Sequence, residues 1–127
     1  MNTLTESEEW IMNLLWERES LSIMQIVKEL EEKKHWTKHA IISFLKRMEQ
    51  KGIVSYTTKG RTKYYFAVVK RDELIRQETK GVLDRFFEGK WGAMVSHMIK
   101  EDCSQDEIQE LWELLQELKE KEDGKRS

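Results

Sequence analysis

The 127-residue sequence predicts a mainly α protein in which three short helices and a β-hairpin are followed by three further helices. Three observations predict it. The chain holds no proline and only six glycines, so little interrupts helix formation. Before Gly52, apolar residues recur at helical spacing behind three capping signals, at Thr5, Ser22 and Thr37. After Gly52 the composition turns to β-branched and aromatic residues on either side of Lys59-Gly60.

Each element has its own signal. "TESE", Thr5 to Glu8, has capping-box spacing, and Trp10, Ile11, Leu14 and Leu15 follow at helical spacing. "SIMQ", Ser22 to Gln25, repeats the device ahead of Ile23, Ile26, Val27 and Leu30. Thr37 caps a third helix that runs to about Lys51, with Ile41, Phe44, Leu45 and Met48 as its inward stripe and Gly52 as a left-handed C-terminal cap. The connection from Glu32 to Trp36 is slightly long for a minimal turn. Strands follow over 53–58 and 61–69, where Tyr56, Tyr64, Tyr65 and Phe66 are expected to face the helices, and glycine supplies the positive φ that a tight hairpin needs. Helix, helix, helix, hairpin is the order of a winged helix-turn-helix.

The C-terminal portion carries three more helices. One runs from Asp72 to about Glu88 with Leu74, Ile75, Val82, Leu83, Phe86 and Phe87, and stops at Gly89. Trp91, Met94, Val95, Met98 and Ile99 stripe the next, and a capping box from Ser104 to Glu107 opens the last. The expected organisation is a winged-helix domain over 1–70, a helical domain over 71–122 and a disordered tail over 123–127. Three helices of this size carry more apolar stripe than they bury among themselves, so a homodimer is expected through Leu83, Phe86, Phe87, Ile108, Leu111, Trp112, Leu115 and Leu118. Met24, Met48, Met94 and Met98 fall at core positions, which argues against a methionine-lined ligand pocket.

Charge is segregated along the chain. The net charge is -2, yet His35 to Arg71 holds nine Lys or Arg and one acid, Glu49, which leaves +8 in that segment; the flanking segments carry -4 and -6. A polyanion is the expected partner, and double-stranded DNA is the commonest one. With the inward stripe of the third helix set against the core, His39, Ser43, Lys46 and Gln50 fall on the opposite side, flanked by Ile42 and Arg47. Lys and Arg suit phosphates or guanine edges, Ser and Gln suit bases or backbone, and Ile42 suits a thymine methyl. Thr37 and Lys38 add N–H donors at the positive end of the helix dipole. Lys59, Arg61 and Lys63 place cations on the hairpin, as a wing that straddles the phosphate backbone would.

Other classes are poorly served. His35, His39 and His97 stand apart from any paired carboxylate or glycine-rich phosphate loop, so neither an enzyme nor a metal or other cofactor is expected. A lone Cys103 closes no intrachain disulfide and fits a reducing compartment. No apolar run approaches the roughly 18 residues of a membrane span, and the acidic N-terminus is unlike a secretory signal. A cytoplasmic protein without membrane insertion is expected. Two alternatives stay open: a winged helix that binds only proteins, which predicts no retention on heparin or DNA, and a repressor released from DNA by a small ligand.

The stretches "SEEWIMNLLWE", "WTKHAIISFLKRMEQKGIV", "TKYYFAVV" and "CSQDEIQELWELL" resemble the penicillinase repressor family, the BlaI/MecI type of bacterial winged-helix repressors, over residues 5–120. The resemblance implies a homodimer on a palindromic operator that lets go when a membrane-bound sensor protease triggers its cleavage. There are departures. Where family members often carry Thr-(Val/Ile)-Arg-Thr, this chain has Ala40, Ile41, Ile42 and Ser43, which removes an arginine contact at Ile42. The family's scissile Asn-Phe bond aligns near His97-Met98, with a one-residue gap. The paired-cysteine tail of the copper-responsive branch is missing.

Overall fold

In the computed structural model, which describes residues 4–126, the order is α1 (Glu6–Arg18), β1 (Leu21–Ser22), α2 (Ile23–Leu30), α3 (Lys38–Gln50), β2 (Val54–Lys59), β3 (Thr62–Ala67), α4 (Arg71–Phe87), α5 (Trp91–Asp102) and α6 (Gln105–Arg126). The chain divides into two compact units, Met1–Thr79 and Lys80–Ser127, with the division inside α4.

In the first unit the caps form as their spacing requires. The Glu8 N–H donates to Thr5 Oγ1 (3.3 Å) while the Thr5 N–H donates to Glu8 Oε1 (2.9 Å). Ser22 and Gln25 repeat the exchange at 3.2 and 2.8 Å. Thr37 Oγ1 accepts from the Ala40 N–H at 3.1 Å. At the far end of α3, Gly52 takes φ 75°, and the Ile53 and Gly52 N–H groups donate to the Met48 and Glu49 carbonyls at 3.1 and 3.0 Å. That pair of bonds is a Schellman stop, and it turns the chain directly into β2.

β1 was not legible in the sequence, because two residues cannot display a period. It pairs with β3, Leu21 opposite Tyr65, giving the antiparallel order β1-β3-β2. The chain reaches it through a tight turn at Glu19 (φ 70°, ψ -62°), closed by the Ser20 N–H donating to the Arg18 carbonyl at 2.9 Å. This is a γ-turn of the rare, strained hand. Lys59 pairs with Thr62, so the hairpin tip is Gly60-Arg61, with the positive φ at Gly60 alone (64°).

Ile11, Met12, Leu15, Ile26, Ile41, Leu45 and Met48 are fully buried, and Leu30, Ile53, Val54 and Tyr65 close around them. Three α-helices and the base of the sheet thus share one interior. Of the four wing aromatics expected to face the helices, only Tyr65 is buried; strand alternation turns Tyr64 and Phe66 to the other face, and Tyr56 lies half exposed against Tyr65 with ring centroids 5.4 Å apart. Met24, expected at a core position, stands exposed on α2.

In the second unit, Leu83 and Met94 are the buried hydrophobic side chains among the described residues, and the Phe87 and His97 rings meet at 5.7 Å. Leu83, expected at a dimer surface, is consumed by this interior. Met98, expected in the core, is exposed, as are Trp91 and Phe86. Ser104 and Glu107 exchange backbone-to-side-chain bonds of 3.1 and 3.2 Å and open α6. α6 continues to Arg126, past the expected boundary at 122, since Lys119 to Glu122 are strong helix formers with nothing to stop them. Ser127 lies outside the described residues. No described helix is long and apolar enough to cross a membrane.

Candidate nucleic-acid interface

α3 is held at both ends and along one side, which leaves its other side as a rigid surface. Ile41, Leu45 and Met48 anchor it in the core. Thr37, Lys38, His39, Ile42, Ser43, Lys46 and Arg47 are all exposed. The sequence-based assignment of the outward face therefore agrees with the placement of these side chains. Lys59, Arg61 and Lys63 are likewise exposed at the distal end of the hairpin.

Register separates the wing cations. Lys63 shares the Tyr56 and Tyr65 face of the sheet, and its Nζ lies 4.4 Å from the Tyr56 ring centroid. Lys59 is on the other face, with Nζ 5.7 Å from the Tyr64 ring. Each ammonium stays in solvent while an aromatic ring supports it, an arrangement that restrains the charge without neutralising it. Arg61 occupies the turn itself. The wing thus presents positive charge to both sides and at its tip.

Arg47 differs from the other candidates. Its Nε lies 3.8 Å from Glu8 Oε2, and its guanidinium carbon lies 5.3 Å from the Phe44 ring centroid. Glu8 is fully buried, and its Oε1 accepts a 2.6 Å bond from Lys51 Nζ. Oε2 has no hydrogen-bond donor among the described residues, and Arg47 brings a second positive charge to it. Burial alone would raise the Glu8 carboxyl, but the bonds from Lys51 and Thr5 outweigh it and hold the group below its ordinary value. Sequence reasoning found Glu8 as a capping residue and missed its second role, because Lys51 is 43 positions away.

The connection between α2 and α3 is pinned by alternating cations and rings. Lys34 Nζ bonds Glu6 Oε1 at 2.8 Å and lies 5.4 Å from the Trp10 ring and 5.8 Å from the Trp36 ring. Trp36 meets Phe44 edge-on at 5.2 Å. Lys34 and Trp36, absent from the sequence-based set, thereby fix the entry to α3. No cluster of metal-binding side chains occurs among the described residues.

His97 and Met98 lie inside α5, where the peptide between them is part of a regular helix.

Residues 4–117 match the penicillinase repressor family model. The chain is 28% identical to the methicillin resistance regulatory protein MecI of Staphylococcus aureus strain N315, over 86% of this chain and 90% of that one. It is 27% identical to the penicillinase repressor of Bacillus licheniformis, over 91% of each. Among solved structures, the DNA-binding domain of the repressor BlaI aligns with 56% of this chain and 87% of its own at TM-score 0.51 and 22% identity. A mutant of MarR from E. coli aligns with 91% of this chain and 77% of its own at TM-score 0.51 and 14% identity. These two likenesses carry the winged-helix fold, and the match over residues 4–117 carries descent: the chain belongs to the penicillinase repressor family.

Proposed function

We propose that the protein is a DNA-binding transcriptional repressor that grips a palindromic operator as a homodimer, with α3 in the major groove and the wing on the flanking backbone. The observation that carries this reading is the division of α3 into a fully buried apolar side and an exposed side of Lys38, His39, Ile42, Ser43 and Lys46. Lys, Ser and a small apolar side chain on one rigid face are the chemistry of base and phosphate contact. Family membership supports the repressor role, and a cytoplasmic location follows from a DNA target.

Dimerisation is supported by α6, which leaves Ile108, Trp112, Leu115 and Leu118 exposed on one side. Phe86 adds to the uncovered apolar surface of the second unit. A two-fold pair would set the recognition helices about one DNA turn apart, roughly 34–36 Å, and match operator symmetry to protein symmetry. Cleavage near His97 and Met98 by a membrane-bound sensor protease is the release step that family resemblance supports; α5 has to unwind there before an extended-substrate cleft accepts the chain.

Gel shifts with the DNA upstream of the protein's own gene test this reading, run for the full chain and for a fragment ending at Thr79. The expected result is specific binding by the full chain and much weaker binding by the fragment. Equal affinity rejects the dimer, and binding by neither rejects operator recognition.

A further inference from the structure

We propose that the groove between α1 and the first half of α4 is a binding site for a small organic cation, a molecule with an apolar body and one positive charge. Leu4, Trp16, Leu74 and Ile75 supply its apolar lining, Glu9 and Glu78 line it as well, and its volume is about 250 Å³. That is just below the roughly 300–1,000 Å³ of drug-sized pockets, so the ligand is small.

The chemistry of the lining selects the ligand class. The Trp16 indole N–H already donates to the Val69 carbonyl at 2.9 Å, which fixes the ring and removes its donor from use by a ligand. What the ring still offers is its π face, and tryptophan is the best side-chain partner for a cation. Leu74 is buried while Ile75, its neighbour, is 44% exposed, so apolar surface remains open in the groove. Glu9 and Glu78 have no ion-pair partner among the described residues. One comes from α1 and the other from α4, so their fields add within the groove and oppose any anion. A neutral hydrocarbon gains the apolar lining and forgoes both carboxylates. The site is independent of operator recognition, since none of its lining residues belongs to α3 or the wing.

The test uses the free full-length protein and three probes of similar size: benzyltrimethylammonium, 4-tert-butylbenzoate and 4-tert-butylbenzyl alcohol. Amide and indole NMR shifts locate each probe and calorimetry gives its affinity. The cation is expected to saturate, to shift the signals of Glu9, Trp16, Ile75 and Glu78, and to bind about tenfold tighter than the anion. The double substitution Glu9→Gln with Glu78→Gln is expected to weaken the cation about tenfold and to leave the alcohol within about twofold. Ile75→Trp, which fills the groove, is expected to exclude all three probes, with an unchanged circular dichroism melt showing that the fold is retained. Shifts that map elsewhere, an anion that binds as well as the cation, a cation that fails to saturate, or an affinity unmoved by the double substitution would each overturn the proposal.

Discussion

Glu8 Oε1 and Lys51 Nζ lie 2.6 Å apart, which joins the first turn of α1 to the C-terminal cap of α3 across 43 positions of sequence. Glu8 is fully buried, so this carboxylate ties the C-terminal end of α3 to α1 from inside the protein. A buried charge is tolerated only when paired and hydrogen-bonded, and here Lys51, the Thr5 N–H and the nearby Arg47 share that task.

The pair should set the acid limit of the winged unit. Glu8 titrates below its ordinary value of 4.5 in the folded protein, so its contribution is present above that value and is lost as pH falls through the lower folded value. Glu8→Ala, which removes the carboxylate that Lys51 and the Thr5 N–H bond, is expected to cost about 1–3 kcal/mol at neutral pH. In Glu8→Gln the loss of stability as pH falls below 4.5 should be shallower than in the parent, because one protonation step has been removed. Urea unfolding across that range reads both effects, and identical pH slopes for parent and Glu8→Gln would show that the carboxylate is not coupled to folding.

Two arginines should separate by their surroundings. Arg61 is exposed at the hairpin tip, where the proposed wing contact is to phosphate, so Arg61→Ala is expected to weaken binding to all DNA sequences and to reduce the salt slope by about one. Arg47 also faces Glu8, so Arg47→Ala should lower the unfolding midpoint as well as the affinity. Salt titrations of binding together with thermal melts distinguish them. An unchanged slope for Arg61→Ala removes the wing from the interface.

Ile42 is the point at which operator preference should differ from that of relatives carrying arginine there. It is 36% exposed on the outward side of α3, with room for a longer side chain. Ile42→Arg is expected to gain about 1–3 kcal/mol on an operator that offers a guanine at the matching step, and little on one that does not. Competition binding with systematically varied half-sites measures this. A uniform gain on every sequence would make the new arginine a phosphate contact.

The legible parts of this protein are those written in short-range spacing. Thr5 with Glu8, Ser22 with Gln25 and Ser104 with Glu107 form their reciprocal bonds because a capping box spans one helical turn. Ile41, Leu45 and Met48 name the buried side of α3 because one turn separates them. Features that depend on distant partners left no trace: β1 exists only against Tyr65, Glu8 acquires Lys51 and Arg47 only when α1 and α3 meet, and Lys34 reaches Glu6 and Trp10 only through the fold. An apolar stripe also says which side of a helix seeks cover, not what covers it. Hence Leu83 proves interior while Phe86, three residues on, is 72% exposed.

The exposed side of α6 gives the most direct test of assembly. Trp112 and Leu115 are more than half exposed, and each would gain about 1.5–3 kcal/mol if a second copy covered it. Replacing both by glutamate places two charges where that cover would lie, without touching the buried Leu83 and Met94. The expected outcome is a monomer by analytical ultracentrifugation with unchanged helical content by circular dichroism, and an operator affinity about 100-fold lower, because the two halves of the site no longer reinforce each other. Lys63→Ala offers the contrast: it should weaken DNA binding and leave the dimer intact, since Lys63 sits on the wing. If the double glutamate variant remained dimeric, the interface would lie elsewhere in the chain; if it became monomeric and bound its operator undiminished, one winged unit would suffice for recognition.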